Sequence, residues 1–528
     1  MHTNLFSAGA KAVFTGLMCA GLLMACHKDN NNKPTPGPDP IDTTTTSTAI
    51  PAKEAEDSLK YLMYQIMQVS YADGGRNSAA GLPTYYWYGQ VPKLNPLDSK
   101  YANADSLLSQ MKTYAINTTA TPNAPYDRYS FLDRNGTLTN KLMNGVSAQN
   151  FAAATGDFGF DYGISVDQSG KAHLFVLYAD KNSPAGLKGV TRGWEITSVN
   201  GNSNIQNTTA FLKSTYDAIF NSSSVTLGFK RTDNSTTTET LNTTSYNINP
   251  VLFDTVFTVK GENVGYFSMY TFSSVTNSDG QPTYTKTALD QTFDKFKTKG
   301  ITSLIVDLRY NGGGAITTAE YLDAAIAPAS AAGQVMYTYL YNDKLMQNLA
   351  ATELTSLVNF PAGTGGLSLK NVFFITTGNT ASASELTLNN LRPYLRDKLK
   401  LVGEKTYGKP VGFIDFNISI YDKAHKQQYL ADLYAINFET VNKEGIGKYY
   451  NGIDVDAAAV DYVNVPWGNA DDDNLQKIFS YLNTGAFARA NARLSTAEAA
   501  NLRTVVPNAK PMHGFNGMVD FKHRTRLK

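Results

Sequence analysis

The amino-acid sequence predicts a multidomain α/β protein, and three patterns along its 528 residues support this. Apolar residues recur at helical spacing from Leu59 to Met67, which predicts a helix. The alternating runs at 174–178 and 224–229 are typical of strands. From residue 263 onward, strand and helix patterns alternate, which indicates an α/β core with parallel strands. A chain of this length is expected to form two or three domains with tails.

The composition is that of a globular protein, with 42% hydrophobic residues and a formal net charge of +1. No block of like charges is present, which argues against a nucleic-acid partner and against a polybasic membrane site. Both cysteines, Cys19 and Cys26, lie near the N-terminus, so the chain after Cys26 has no disulfide and no thiolate metal site. The absence of HExxH, CxxC and P-loop motifs predicts no metal and no other cofactor.

The N-terminus has the features of an export signal. Lys11 precedes an apolar stretch at 12–25 that is too short to span a membrane. The stretch ends in L-M-A-C, which resembles the lipobox of bacterial lipoproteins. The resemblance implies cleavage before Cys26, lipidation of its thiol, and anchoring in the cell envelope, with the outer membrane as the expected location. A plain secretory signal cleaved nearby is the alternative.

Pattern and composition divide the chain into six segments. They are a signal peptide (1–25), a Pro/Thr-rich disordered tether (26–52), a helical N-terminal region (53–150), a β-rich unit (155–245), an α/β core (250–485) and an ambiguous tail (486–528).

The β-rich unit resembles a PDZ domain. Its bacterial form reads A-G-L-x-x-G-D-x-I-x-x-V-N-G, and this chain has A-G-L at 185–187 and V-N-G at 199–201. PDZ domains bind an extended peptide at a sheet edge and capture its C-terminal carboxylate with backbone N–H groups. The resemblance assigns Tyr162, Gly163 and Ile164 to the peptide-binding carboxylate loop. A small β-domain without a ligand is the alternative.

Two segments point to catalysis by serine. The sequence T-A-S-A-S-E at 380–385 lies between an apolar run and an amphipathic stretch, which predicts a strand-to-helix turn. Such a turn exposes a serine hydroxyl, and the helix N-terminus offers free N–H groups to an oxyanion. The sequence G-E-K-T-Y-G-K follows at 403–409 and ends in Lys409. A lysine can serve as the base if burial lowers its pKa.

These segments resemble the C-terminal-processing, or tail-specific, serine peptidases, whose Ser-Lys dyad lies in a T/S-A-S-A-S-E turn and a G-E-x-T-[FY]-G-K loop. The resemblance spans 155–485 and implies a ClpP/crotonase-like α/β serine peptidase core that acts on polypeptides. It assigns Ser382 as nucleophile and Lys409 as general base. Ser384 is the alternative nucleophile, because its separation from Lys409 matches the family spacing more closely. An insertion near 395–401 would explain the longer separation from Ser382.

The oxyanion hole is expected after the buried run at 301–309. The segment D-L-R-Y-N-G-G-G resembles the family's D-L-R-x-N-x-G-G, and glycine lets backbone N–H groups approach an oxyanion without steric conflict. We assign the hole to the backbone of Gly313 together with the N–H of Ala383.

Two observations keep other interpretations open. A Ser-His-Asp triad needs a histidine, and among the six present His425 lies in a polar stretch that predicts a loop. Phe413 occupies the position where the family often has a glutamine that orients the lysine. The alternatives to a lipid-anchored endopeptidase are therefore a catalytically weak, PDZ-bearing surface lipoprotein that binds peptides and a carbohydrate-binding surface lipoprotein. A lysine base predicts activity that rises into mildly alkaline buffer, whereas a histidine base predicts a rise near pH ~6.5.

Overall fold

The structure of the chain is a computed structural model. The described residues are 50–71, 94–113, 127, 129–147, 157–487 and 515–527. The predicted signal, Cys26 and nearly all of the tether lie outside them.

The secondary structure alternates between helices and strands along most of this length. The helices are α1 (Ala52–Ser70), α2 (Ala104–Lys112), α3 (Thr137–Asn144), α4 (Pro184–Leu187), α5 (Thr209–Phe220), α6 (Tyr284–Thr298), α7 (Ile316–Ile326), α8 (Asp343–Gln347), α9 (Leu349–Thr352), α10 (Ala383–Leu395) and α11 (Asp473–Thr484). The strands are β1 (Phe131–Asp133), β2 (Val146–Ser147), β3 (Phe160–Val166), β4 (Ala172–Ala179), β5 (Glu195–Val199), β6 (Ser224–Lys230), β7 (Thr236–Asn242), β8 (Tyr246–Asn247), β9 (Val251–Val259), β10 (Glu262–Met269), β11 (Ser303–Asp307), β12 (Gly313–Ala315), β13 (Val335–Tyr341), β14 (Leu357–Asn359), β15 (Asn371–Thr376), β16 (Leu399–Gly403), β17 (Val411–Tyr421), β18 (Gln427–Asn442), β19 (Ala457–Ala458) and β20 (Gly517–Leu527).

A largely parallel sheet forms the centre of the core. Its strand order is β19-β16-β15-β11-β10-β9, and neighbouring strands from β10 to β19 run parallel. Strands β11 and β15 are buried on both faces, as expected where helices cover a parallel sheet. The predicted α/β core with parallel pairing is therefore confirmed.

A second, mixed sheet packs beside the first and has the order β12-β20-β17-β18-β13-β14. The long strands β17 and β18 run antiparallel, and β1 pairs with β18. Strand β20 lies parallel to both β12 and β17. The core therefore extends beyond the predicted 250–485, because the N-terminal region supplies β1 and the tail supplies β20.

The β-rich unit is an antiparallel sheet with the order β3-β4-β5-β6-β7 and its own apolar core. Helix α5 packs on this sheet, and the ring of Tyr162 stacks on Phe220 at 5.8 Å between centroids. The residues predicted as a carboxylate loop, Tyr162, Gly163 and Ile164, lie within the edge strand β3 and not in a loop. Their backbone register with β4 fixes them as a strand.

The N-terminal region contributes helices to the same body as the core. Helix α1 places Leu59, Met63 and Met67 in one apolar cluster with Leu107 of α2, which confirms the helical pattern read from the sequence. Among the described residues, no helix is long and apolar enough to cross a membrane. The same part of the chain contains no group of His, Cys, Asp or Glu side chains arranged to hold a metal ion.

Candidate active site

Three loops converge at the carboxyl edge of the parallel sheet. The glycine loop at 311–314 follows β11, the serine turn at 380–385 follows β15, and the lysine loop at 404–409 follows β16. Because β11, β15 and β16 are adjacent and parallel, their carboxyl ends meet at one edge. Open α/β sheets place their ligand sites at this edge.

Ser382 occupies the N-cap position of α10 in an unusual backbone conformation. Its φ is 59° and its ψ is −103°, and its side chain is fully buried. A positive φ is costly for a residue with a Cβ and occurs where the surrounding structure enforces it. The hydroxyl donates a 3.5 Å hydrogen bond to the Val411 carbonyl. The strained turn thus places the hydroxyl beside the start of β17, two residues after Lys409.

Ser384 lies in the first turn of α10, whose N-cap residue is Ser382. The Ser384 hydroxyl donates to the Asn311 carbonyl at 3.0 Å, and the Ala381 N–H donates to the same carbonyl at 3.1 Å. Ser384 therefore joins the serine turn to the glycine loop.

Glu385 holds the serine turn and the lysine loop together. Its carboxylate, which is fully buried, accepts the N–H of Ser382 at 2.8 Å. It also accepts the N–H groups of Gly408 and Lys409, at 2.7 and 2.8 Å, and the Thr406 hydroxyl at 2.6 Å. Burial raises the pKa of Glu385, and these donors oppose the shift by favouring the carboxylate. No local sequence pattern indicates this role, because three of the four donors lie more than 20 residues away.

Lys409 is buried among aromatic rings. Its side-chain nitrogen lies 4.2 Å from the ring centre of Phe413 and 4.3 Å from that of Tyr129, within range of cation–π attraction. The same nitrogen donates a short hydrogen bond to the Asn516 carbonyl at the start of the C-terminal strand. Phe413 thus provides a ring where the family often has an amide, and Tyr129 and Asn516 were not anticipated.

The glycine loop has a backbone that requires glycine. Gly313 has a φ of 107°, and a Cβ there would lie 2.9 Å from the Ala383 nitrogen. The Gly313 N–H donates to the Asn311 side chain at 2.9 Å, so this half of the expected oxyanion hole is engaged within its own loop. The Ala383 nitrogen is the first of α10 and has no intrahelical acceptor, as expected at a helix start.

The described histidines lie elsewhere. His425 is exposed in the turn between β17 and β18, as the sequence predicts. His173 pairs with Asp167 and Glu195 in the β-rich unit, and His523 pairs with Asp520. Among the described residues, no histidine is hydrogen-bonded to the Ser382 hydroxyl.

A buried ion network links the β-rich unit to the glycine loop. Asp461 accepts from Arg192 at 2.6 Å and from Arg309 at 2.8 Å, and it also accepts from the Tyr310 hydroxyl. Burial raises the pKa of Asp461, but the two guanidinium groups outweigh this and hold it below the usual range. Because Tyr310 precedes Asn311, the network supports the start of the glycine loop.

Asp461→Asn is expected to destabilise the protein by roughly 3–5 kcal/mol, because it leaves two buried guanidinium groups without their shared carboxylate. Urea unfolding measures the effect. The matched control is Asp454→Asn, which breaks a more exposed ion pair with Lys405 and is expected to change stability little. Equal effects of the two variants would contradict the importance of the buried network.

The three converging loops lie within the part of the chain that matches a known peptidase family. Residues 263–449 match the model of peptidase family S41. No curated protein matches the chain significantly.

Two solved structures are similar to this chain, and the first shares its fold. One from Bacteroides fragilis NCTC 9343, assigned to the S41 proteases, is 21% identical over 80% of this chain and 96% of its own, with a TM-score of 0.56. The photosystem II D1 C-terminal processing protease is 18% identical over 76% of this chain and 92% of its own, with a TM-score of 0.41.

Proposed function

We propose that the chain is a serine endopeptidase in which Ser382 and Lys409 form a catalytic dyad. The observation that carries the proposal is the Glu385 carboxylate, which binds the backbone of both residues and so fixes the two loops against each other. Both side chains are buried, and a buried dyad needs such positioning to act.

The chemistry follows from the groups present. The neutral amine of Lys409 takes the proton of Ser382 Oγ, which then attacks the carbonyl carbon of the scissile peptide. The oxyanion that forms lies at the start of α10, where the Ala383 N–H donates to it; the Gly313 N–H joins it if the Asn311 side chain turns away. Lys409 returns the proton to the departing amine, and water then hydrolyses the acyl-enzyme.

The substrate is proposed to be an extended or C-terminal segment of a polypeptide. Strand β3 is at the edge of its sheet and lies beside α5, so an added peptide strand could pair with it. In this proposal Tyr162, Gly163 and Ile164 supply the backbone edge that binds the peptide.

A fluorophosphonate probe combined with mass spectrometry tests the nucleophile. We expect a single adduct on Ser382 and slow cleavage of casein by the full chain. An adduct on Ser384 would move the nucleophile. Neither adduct nor cleavage would favour the second candidate, a catalytically weak peptide-binding protein, which the aromatic surroundings of Lys409 support.

The protein is also proposed to be a lipid-anchored protein of the outer membrane, on the strength of the lipobox-like sequence that ends at Cys26. Cys26→Ser is expected to abolish lipidation and to release the protein in soluble form, because only a thiol can carry the thioether lipid. Detergent partitioning and the mass of the mature N-terminus measure this. A mature N-terminus other than Cys26 would contradict the anchor.

A further inference from the structure

The C-terminal strand lies across the catalytic groups. Strand β20 fills a slot between β12, which ends the glycine loop, and β17, which follows the lysine loop. Its residues Met518, Val519 and Asp520 are buried. The strand therefore lies between the end of the glycine loop and the strand that follows the lysine loop.

The first residues of this segment contact the catalytic machinery directly. The Asn516 carbonyl accepts the hydrogen bond of the Lys409 amine, and the Gly517 N–H donates to the Gly312 carbonyl at 2.9 Å. A Cβ on Gly313 would lie 2.3 Å from the Gly517 carbonyl oxygen and 2.9 Å from the Ala383 nitrogen, so both atoms converge on one point. A peptide carbonyl therefore lies beside the proposed oxyanion hole.

The ring of Phe413 leaves little room for a side chain at this point of the slot. A Cβ on Gly517 would lie 2.8 Å from that ring, and it would lie 2.2 Å from the ring of Phe515, which belongs to the tail itself. Cβ atoms in proteins essentially never lie this close to a neighbour, so the surrounding atoms would have to shift. A larger side chain at position 517 is therefore disfavoured in the slot.

At the far end of the slot, two buried carboxylates bind a basic side chain. Arg524 of β20 forms ion pairs with Asp415 at 2.8 Å and with Asp432 at 3.1 Å. The side chains of both acids are at most 1% exposed. Two buried carboxylates in one place are costly without a partner of opposite charge, so the slot favours a strand that brings one.

We propose that the slot between β12 and β17 is the substrate cleft, and that residues 515–527 occupy it in cis and compete with substrate. The polypeptides it takes have a small residue at the position of Gly517 and a basic residue at the position of Arg524. Asp415 and Asp432 are then specificity-determining residues. The proposal rests on the proposed peptidase function.

Competition in cis has a clear physical basis. A tethered segment competes at an effective concentration near the millimolar range, far above most free substrates. The full chain therefore hydrolyses added polypeptide slowly until β20 leaves the slot. If β20 competes with substrate, weakening its contacts with the slot raises activity. If β20 is only structural, the same change lowers activity.

The test is Arg524→Glu in the full chain. The variant places a third carboxylate beside Asp415 and Asp432, which expels the strand, and kcat/KM for casein is expected to rise about tenfold. The matched control is Lys522→Glu, the same charge change on the same strand, because Lys522 pairs with Glu320 at the surface and not with the buried acids. Its activity is expected to stay within about twofold of the wild type.

Gly517→Val is the second variant, and it decides the question if Arg524→Glu does not fold. It is expected to displace the catalytic end of the tail and to raise kcat/KM while circular dichroism shows an unchanged fold. A synthetic peptide of residues 512–528 is expected to inhibit the active variant, and a peptide with glutamate at the position of Arg524 is not. No rise in either folded variant, or an equal rise in Lys522→Glu, would overturn the proposal.

A peptide-binding experiment distinguishes failure of this proposal from failure of the proposed peptidase function. A fluorescent peptide of residues 512–528 is expected to bind Ser382→Ala/Arg524→Glu, which needs no catalysis. Binding without casein cleavage in any variant would refute the peptidase function and retain the slot. Cleavage unaffected by the tail variants, without peptide binding, would refute the slot and retain the peptidase.

Discussion

Ser382→Ala and Lys409→Met are each expected to lower kcat/KM for casein by about a thousandfold or more, and the double variant is expected to be no worse than either single variant. Residues that act as one catalytic unit have non-additive effects, because losing either partner removes the whole step. Methionine retains the aliphatic contacts of Lys409 with the rings of Phe413 and Tyr129, so the free energy of unfolding should change little.

Ser384→Ala is the matched control for the dyad. It removes the hydrogen bond to the Asn311 carbonyl and is expected to cost about 1 kcal/mol of stability while most activity remains. Full activity in Ser382→Ala together with none in Ser384→Ala would reverse the assignment. Additive losses in the double variant would show that serine and lysine act in separate steps.

Glu385→Ala is expected to lower both activity and stability, the latter by roughly 3–5 kcal/mol, because four buried donors lose their acceptor at once. Activity should fall even at temperatures where the variant remains folded, since nothing else described fixes the Ser382 N–H to the lysine loop. Thermal unfolding and casein cleavage at a low temperature measure the two effects separately.

Glu404→Ala is the control for Glu385, because it removes an exposed carboxylate from the same lysine loop. Glu404→Ala is expected to leave both casein cleavage and thermal stability nearly unchanged. Glu385→Gln keeps one acceptor oxygen but turns an NH₂ group toward N–H donors, so it should recover only a small part of the loss. Full activity in Glu385→Gln would show that the carboxylate does not position the dyad.

The sequence predicted the parts of the fold that rest on local pattern. Strands β11 and β15 are continuous apolar runs because both faces of a central parallel strand are covered. Helix α10 follows from its amphipathic stretch after a serine turn. These elements carry the loops of the site, so Ser382, Lys409 and the glycine loop could be located from their neighbours in the chain.

The parts that the sequence missed depend on distant partners. Strand β20 contains Asp520 and Arg524, whose charges argue for exposure until Tyr339, Asp415 and Asp432 are placed around them. Glu385 resembles an ordinary first-turn acid, because its local contact with Ser382 accounts for it. No spacing pattern in the sequence indicates that Tyr129, which lies 280 positions before Lys409, contacts its amine.

The single carboxylate of Glu385 has a consequence for local unfolding. The N–H groups of Ser382, Gly408 and Lys409 all donate to this carboxylate. Their exchange with solvent therefore requires the serine turn and the lysine loop to separate. In native-state hydrogen exchange, these three amides should therefore open with one common free energy, although 26 positions of sequence separate Ser382 from Gly408. The two loops would then form one cooperative unit of opening, which sequence distance alone would not suggest.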